Sequence, residues 1–577
     1  MDETGSRHAR VVADLALING KVITVDRRFS IAQAIAIKGD RIAAVGQNSE
    51  VEPFIGEDTL VTDLQGKPVL PGINDAHTHT ALFGGTRPPL ALDLAYPAVK
   101  SIKDCAEAVG EKVKTLAPGE WVRGIGWDEG FLEECTKDRQ RHPTRWDLDP
   151  VSPHNPVCLS EFSVHTLWLN SKALELAGIT EETQVPPGGE IVKDPKTGLV
   201  TGILRELAAQ GLVMKVVPPW TKAQKRQAIL AAVAELNALG ITSITEGALG
   251  SGGTGYQGGL LDAECISIYN DLSNEGALNV RVGILYLFGE YGANSLKDFQ
   301  QILPQIGIHS GFGNERLRIG GIKIFADGIP PSKTAWMREE YVGGGFGSLV
   351  LPGATDEERI AELHDMIWYA HHNGFQVGVH VTGDRAAQAA IGGFVKAEKK
   401  EPKGLRHYFI HADFVSAEDA KRAADHDIGC SVQPGLSWTV ADFMLDIVGE
   451  NRVARQWPYR TLLDAGVHVS GSSDLPCTYP SWLQAIQSAV LRESMATGTV
   501  RGPEERITRE EAIRMYTWEG AWQDHMEQVK GSLEVGKLAD LCILDRDLLT
   551  VDAHAIGEIR NLATVLGGKI VYNAGLL

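Results

Sequence analysis

Apolar residues recur along this chain in three patterns, each predicting a different kind of element. At both ends the rhythm is two. DLALINGKVITVD (14–26) alternates around Asn19–Gly20, and AIAIKGDRIAAVG (34–46) repeats the scheme around Gly39–Asp40. Successive strand side chains face opposite ways, and such a pair between two alternating runs signals a hairpin. GSLEVGKLADLCILD (531–545) and LATVLGGKIVYNAG (562–575), the latter with a hairpin-like Gly568–Lys569, have the same character. Neither terminal piece is large enough to be a domain alone. Residues 1–66 and 528–577 are therefore expected to pair into one small β-sandwich built from both termini.

Between them the apolar runs are continuous and end in polar or glycine-containing loops. They span 67–77, 240–248, 280–288, 317–328, 375–383, 407–414, 428–435 and 468–476. The third pattern, of helical period, fills several gaps. TDEERIAELHDMIWYAHHNG (355–374) opens with Thr355 and Glu358 as a capping box, and SAEDAKRAADHD (416–427) is another such segment. Eight buried strands alternating with helices predict an α/β fold, a (β/α)8 TIM barrel over residues 67–527. The gap between the first two runs is too long for one crossover, and residues 85–225 are expected to form an inserted subdomain over the barrel mouth.

Length and charge narrow the picture further. At 577 residues more than one structural unit is expected, and a formal net charge of −19 without a long basic run argues against nucleic acid or an anionic membrane as partner. No stretch has the length of an apolar membrane span, and the N-terminus shows no apolar core behind a basic start. Seven scattered cysteines without a C-x-x-C pair suit reduced thiols in a cytoplasmic protein.

The candidate chemistry begins at PGINDAHTHT (71–80), where His77 and His79 stand two apart at the end of the first run. On a strand both imidazoles project from one face and offer two nitrogens to one metal ion. An isolated H-x-H is more often a pair of polar loop histidines. The other strand ends add Lys323 (strand 4), His380 (strand 5), His411 (strand 6) and Asp474 (strand 8). Each alone has a bland role, as a hydrogen-bonded core histidine or a turn aspartate. Together they fall where the strand ends of a barrel converge on one site. Lys323 would be a costly buried cation, whereas its adduct with carbon dioxide is an anionic carbamate able to bridge two metals. Strands 2, 3 and 7 offer Glu246, Tyr286 and Gln433, of which Glu246 and Gln433 are candidate substrate contacts.

This order of residues resembles the metal-dependent amidohydrolase superfamily. The matching text is PGINDAHTH, LDPVSPHNPVCL with VHTLWLNSKAL, GIKIFADG, VGVHVTGDRAAQAAI, HYFIHADFV, SVQPG, GSSDLP and GSLEVGKLADLCILD, spread over nearly the whole chain. It is most similar to the amidohydrolase 3, or YtcJ-like, family, whose members include N-substituted formamide deformylase. The resemblance implies that His77, His79 and Asp474 hold one divalent metal, zinc by default, that His380 and His411 hold a second, and that carbamylated Lys323 bridges the two. One metal or two per chain both occur on this scaffold. Such cations acidify water and polarise a carbonyl, and Asp474 would carry the proton to a leaving nitrogen. Strand 2 departs from the family pattern: it ends in Thr245-Glu246-Gly247 in place of a His–Asp pair.

The expected activity is hydrolysis of a carbon–nitrogen bond in a small molecule, foremost a linear amide such as an N-substituted formamide. Cyclic amides, imides or other carbonyl bonds are the alternatives within the same site, and a non-catalytic binding barrel is the alternative class. His165, in VHTLWLN of the insertion, is expected to contact substrate or oxyanion over the mouth, or else to pack between Val164 and Leu167. Trp127 is a further candidate for the mouth, and the insertion's aromatic residues favour an apolar or aryl substituent. Asp384 and Arg385, which open a helix after His380, are expected to cap it and to form a salt bridge behind the ligands, Asp327 to support them similarly, and 337–353 to be a long loop or a lid. A homodimer is the habit that the resemblance implies.

Overall fold

The computed structural model describes residues 11–138, 140–185, 189–254, 258–289 and 295–577. The start of the N-terminal segment expected to lack a signal-type core lies outside the described residues. Among the described residues no helix is long and apolar enough to cross a membrane.

Eight parallel strands form the central sheet, in chain order from one edge to the other. They are β1 (Ile73–Thr78), β2 (Ile241–Leu249), β3 (Arg281–Tyr286), β4 (Leu317–Phe325), β5 (Gln376–Val381), β6 (Tyr408–His411), β7 (Gly429–Val432) and β8 (Val469–Gly471). All eight coincide with the apolar runs, because a parallel strand buried on both faces must be apolar nearly throughout. The ring closes at the loop after β8, where Asp474 N–H donates to the His77 carbonyl and His79 N–H to the Leu475 carbonyl, each at 2.9 Å. Asp75 of β1 reinforces the seam by accepting from the Ser473 backbone N–H (2.9 Å) and hydroxyl (2.6 Å). Helices pack outside the strands. Asp356–His372 carries the expected Thr355–Glu358 capping box, and Ala417–Ala424 is capped by Ser416.

Strands from both ends of the chain build two further sheets. One holds Leu15–Ile18, Ala34–Lys38, Arg41–Gly46 and Leu60–Asp63; the other joins Lys21–Ile23, Ile31–Ala32 and Pro68–Pro71 to Leu541–Leu544, Asn561–Leu566 and Lys569–Asn573. Their facing side chains, among them Leu17, Ile35, Val69, Leu541 and Val565, share one core.

Two local expectations are corrected. Asn19–Gly20 is not a hairpin: Leu15–Ile18 and Lys21–Ile23 lie in different sheets, and Asn19, at φ 53°, turns a corner between them. Run 67–77 is two strands. Pro68–Pro71 pairs in the sandwich, and at Gly72 the chain crosses to the barrel so tightly that a Cβ there would sit 2.1 Å from Thr242 Oγ1.

The long gap after β1 contains a six-stranded mixed sheet of Leu92–Asp93, Val122–Trp127, Val157–Glu161, Thr166–Leu169, Glu190–Lys193 and Val200–Arg205, with its own apolar cores. The link between its third and fourth strands reaches the C-terminal end of the barrel.

Candidate metal centre and active-site cavity

The strand ends bring all six candidate ligands to the wall of one cavity of about 130 Å³. His77 lies in β1 and His79 is the residue before the helix Thr80–Gly85, so the two-residue spacing does place both imidazoles on one side. Their Nε2 atoms each lie 3.4 Å from the same oxygen, Asp474 Oδ1. In this trio one donor atom from each residue lies within 4.8 Å of the others, the spacing of ligands around a single ion. Asp474 itself sits at φ 53°, a left-handed conformation held by the β1–β8 seam. Lys323 Nζ is 3.5 Å from His77 Nε2. The His411 ring lies 4.5 Å from that of His380 and 5.9 Å from that of His77, centre to centre.

Electrostatics prepare the donor set. Burial, reinforced by neighbouring cations, pushes His77 and His380 well below the ordinary histidine range, and His411 down to about 4. Burial likewise brings Lys323 down to about 7. Burial opposes ionisation of Asp474, but the His79 hydrogen bond and the charges of His411, His79 and Lys323 outweigh it and hold the carboxyl below its usual range. Neutral imidazoles at His77, His380 and His411 beside an ionised Asp474 are the protonation states that metal ligation requires. The residues present fit a divalent cation.

The remaining candidates divide. His165 lines the cavity, and its Nδ1 lies 2.8 Å from Glu206 Oε2. Gln433 does not line it: its Oε1 accepts from His411 Nδ1 (2.8 Å), while its Nε2 donates to Ser472 Oγ (2.9 Å) and the Ser431 carbonyl (3.2 Å). With the amide so oriented, His411 carries its proton on Nδ1 and keeps Nε2 as a lone pair. Gln433 thus stands behind His411, outside the cavity lining. Glu246 is also behind the wall, where its Oε2 accepts from Thr80 N–H (3.0 Å) and Tyr269 OH (2.8 Å). Beside it Gly247 makes room for His77, whose Cε1 would lie 2.2 Å from a Cβ there. Trp127 is corrected outright. Its side chain is only 1% exposed, lies edge-on to Trp168 in the insertion's core, and lies outside the cavity lining. Tyr286 stacks on Phe288.

Asp327 receives backbone N–H groups from Trp336 (2.9 Å), Thr382 (3.1 Å) and Gly383 (2.8 Å), tying the loops after β4 and β5 together behind the candidate ligands. Asp384 accepts from Arg338 and Arg385 N–H, and the Arg385 guanidinium covers Trp336. Segment 337–353 contributes nothing to the lining.

Of the insertion's aromatic residues Phe162 lines the wall, and its unanticipated members are Asp413, Gln456 and the apolar Val440, Met444 and Trp457. Gln456 Nε2 donates to Asp413 Oδ2 at 3.2 Å. Asp413, two residues past His411 in HYFIHADFV, was the signal available in the sequence; Gln456 lies in no run or motif.

Comparison with known proteins agrees with this geometry. The Amidohydrolase family profile matches residues 60–572. The chain is 31% identical over 566 residues to N-substituted formamide deformylase of Arthrobacter pascens, covering 97% of this chain and 98% of the relative. It is 30% identical to the putative amidohydrolase YtcJ of Bacillus subtilis, over 96% and 98% of the two chains. A metal-dependent hydrolase of Pyrococcus furiosus, known as a crystal structure, superimposes with a TM-score of 0.69 at 27% identity, covering 93% of this chain and 100% of the other. The chain belongs to the amidohydrolase family, and so to the hydrolases of carbon–nitrogen bonds other than peptide bonds.

Proposed function

We propose that this chain hydrolyses a small linear amide, an N-substituted formamide or related N-acyl amine with an apolar or aryl substituent. The observation that carries this reading is the convergence of His77 and His79 Nε2 on Asp474 Oδ1 at the floor of a cavity otherwise walled largely by apolar side chains. Similarity to a formamide deformylase along nearly the full length supports the substrate class.

His77, His79 and Asp474 would hold one divalent cation, with zinc suited to imidazole and carboxylate donors, and His380 and His411 a second, with Lys323 as a carbamate between them. Bound cations supply acidified water and polarisation of the acyl oxygen. Asp474, ionised at neutral pH, takes the proton of the attacking water and returns it to the departing nitrogen, which leaves as a neutral amine. Gln433 holds His411 in the tautomer that keeps Nε2 free. Phe162 and Val164 from the insertion, with Val440 and Met444 from the barrel, exclude bulk water and receive the amine substituent. The test pairs elemental analysis of protein purified without chelator with release of formate and amine from a panel of N-aryl and N-arylalkyl formamides. About two metals per chain and metal-dependent formate release are expected. A protein loaded with metal that releases neither product from any member overturns the substrate class.

A further inference from the structure

We propose that Gln456 and Asp413 form a hydrogen-bond-accepting subsite in the cavity, which selects substrates that present an N–H or O–H donor. The proposal rests on the amide-hydrolase reading for the kind of molecule that carries the donor, while the subsite itself rests on geometry. Asp413 lies just past the end of β6, and Gln456 follows the short helix Glu450–Val453. Both line the cavity that Val440, Met444 and Trp457 also line. Gln456 is 1% and Asp413 7% exposed, so the cavity is the one space from which a partner can reach them. Gln456 Nε2 donates to Asp413 Oδ2 at 3.2 Å. A carboxylate accepts, so this contact fixes which end of the amide faces Asp413 and turns Oε1 away from it. Gln456 Oε1 and the second carboxylate oxygen, Asp413 Oδ1, have no hydrogen-bond partner among the described residues. Buried oxygens left unpaired are costly, and both of these are acceptors.

The pair is held from behind. Arg492, itself buried, donates from Nη2 to the Gln456 carbonyl (2.8 Å), from Nη1 to the Trp457 carbonyl (3.2 Å) and from Nε to the Arg501 carbonyl (3.0 Å). Trp457 N–H donates to the Asp413 carbonyl at 2.8 Å, which joins the two segments through main chain as well as side chain. The φ of 56° at Trp457 is a conformation that a residue with a Cβ keeps only when surrounding contacts impose it. Arg492 thus grips the loop by its carbonyls and leaves the two side-chain oxygens unpaired.

A wholly apolar substrate that fills the cavity buries both oxygens without a partner. One that brings a donor pairs them, and a site built around such a bond rejects the analogue that lacks it. The donor has two sources: the amide's own N–H, present in an N-monosubstituted formamide and absent from an N,N-disubstituted one, and a hydroxyl on an aryl substituent.

Two ligand pairs separate these sources: N-phenylformamide against N-methyl-N-phenylformamide, and N-(3-hydroxyphenyl)formamide against N-(3-methylphenyl)formamide. Binding is measured by calorimetric titration into metal-loaded Asp474→Asn protein, whose slowed turnover leaves heats of binding. At pH 8.5 the Asp413 carboxyl, which burial pushes up to about 7, is ionised. In at least one pair the donor-bearing member should bind about tenfold or more tightly than its analogue. Adding Gln456→Met should erase that preference at unchanged metal content. Asp413→Asn, which frees the Gln456 amide to turn, should erase it too and serves where Gln456→Met fails to fold. The pair that shows the preference identifies the donor. Equal affinities within both pairs, no binding of any member, or a preference that survives the substitutions overturns the proposal. Donor-selective binding without formate release by the native protein would instead defeat the substrate class and leave the subsite standing.

Discussion

At the scale of single residues, the site is a set of atoms whose protonation is fixed by what stands behind them. Asp474 is the sharpest case, because it both completes the His77–His79 trio and is the base of the proposed reaction. Asp474→Asn keeps an oxygen ligand but cannot take a proton. Metal content should be largely retained while kcat falls between about a hundred- and ten-thousand-fold; near-native turnover would remove Asp474 from the proton path. Gln433 acts one step further out. Replacing it with Leu deprives His411 Nδ1 of its acceptor and frees the ring to turn, so metal affinity should fall about 10- to 100-fold, read by chelator competition. That the six strand-end candidates would line one cavity was legible in the sequence, because alternation on a strand and convergence in a barrel are local rules. The places of Gln433, Glu246 and Trp127 were not. Whether a polar or aromatic side chain reaches the cavity or stops behind its wall depends on partners from distant strands, such as Ser472 for Gln433 and Trp168 for Trp127.

At the scale of elements, the strands followed their apolar runs, and the errors lie where a run changes sheet. Gly72 and Asn19–Gly20 look in sequence like a strand interior and a hairpin, yet both are corners between sheets. Pairing partners, not local pattern, decide that difference. Close approach between neighbouring strands also bears on the chemistry. The His77 ring of β1 occupies the space that a side chain at position 247 of β2 would fill, with a Cβ falling 2.2 Å from His77 Cε1 and 2.7 Å from Nδ1. A single methyl group there forces the ring to move or the strands to part. Gly247→Ala is therefore expected to lose metal to an extent that a merely overpacked core position would not, beyond a destabilisation of about 1–3 kcal/mol. Elemental analysis beside a melting curve separates the two: a lowered Tm with full metal content would show that the ring adapts.

At the scale of the whole molecule, the barrel keeps its reactive end and its structural end apart, and histidines serve both. Opposite the cavity, before β6, His407 Nδ1 accepts from Val377 N–H at 3.0 Å, so its proton lies on Nε2 and is donated to His371 Nδ1 at 2.9 Å. His371 Nε2–H is then donated to the Glu401 carbonyl at 2.6 Å. The chain of bonds ties β5, the start of β6 and the helix Asp356–His372 together, and it exists only with both rings neutral. Burial, then the neighbouring His371 and His525, push His407 down to about 3 from the ordinary histidine value of 6.5. Below pH 6.5 the unfolded chain takes up a proton that the folded one refuses. The stability this pair contributes is thus fully present above pH 6.5 and is lost progressively as pH falls toward 3, at up to about 1.4 kcal/mol per pH unit. His407→Asn removes the titrating group while keeping polar atoms near Val377 and His371. Its melting temperature should be lower than native at pH 7, yet fall less between pH 7 and pH 5 than that of the native protein. Equal falls in the two proteins would show that acid sensitivity originates elsewhere in the fold.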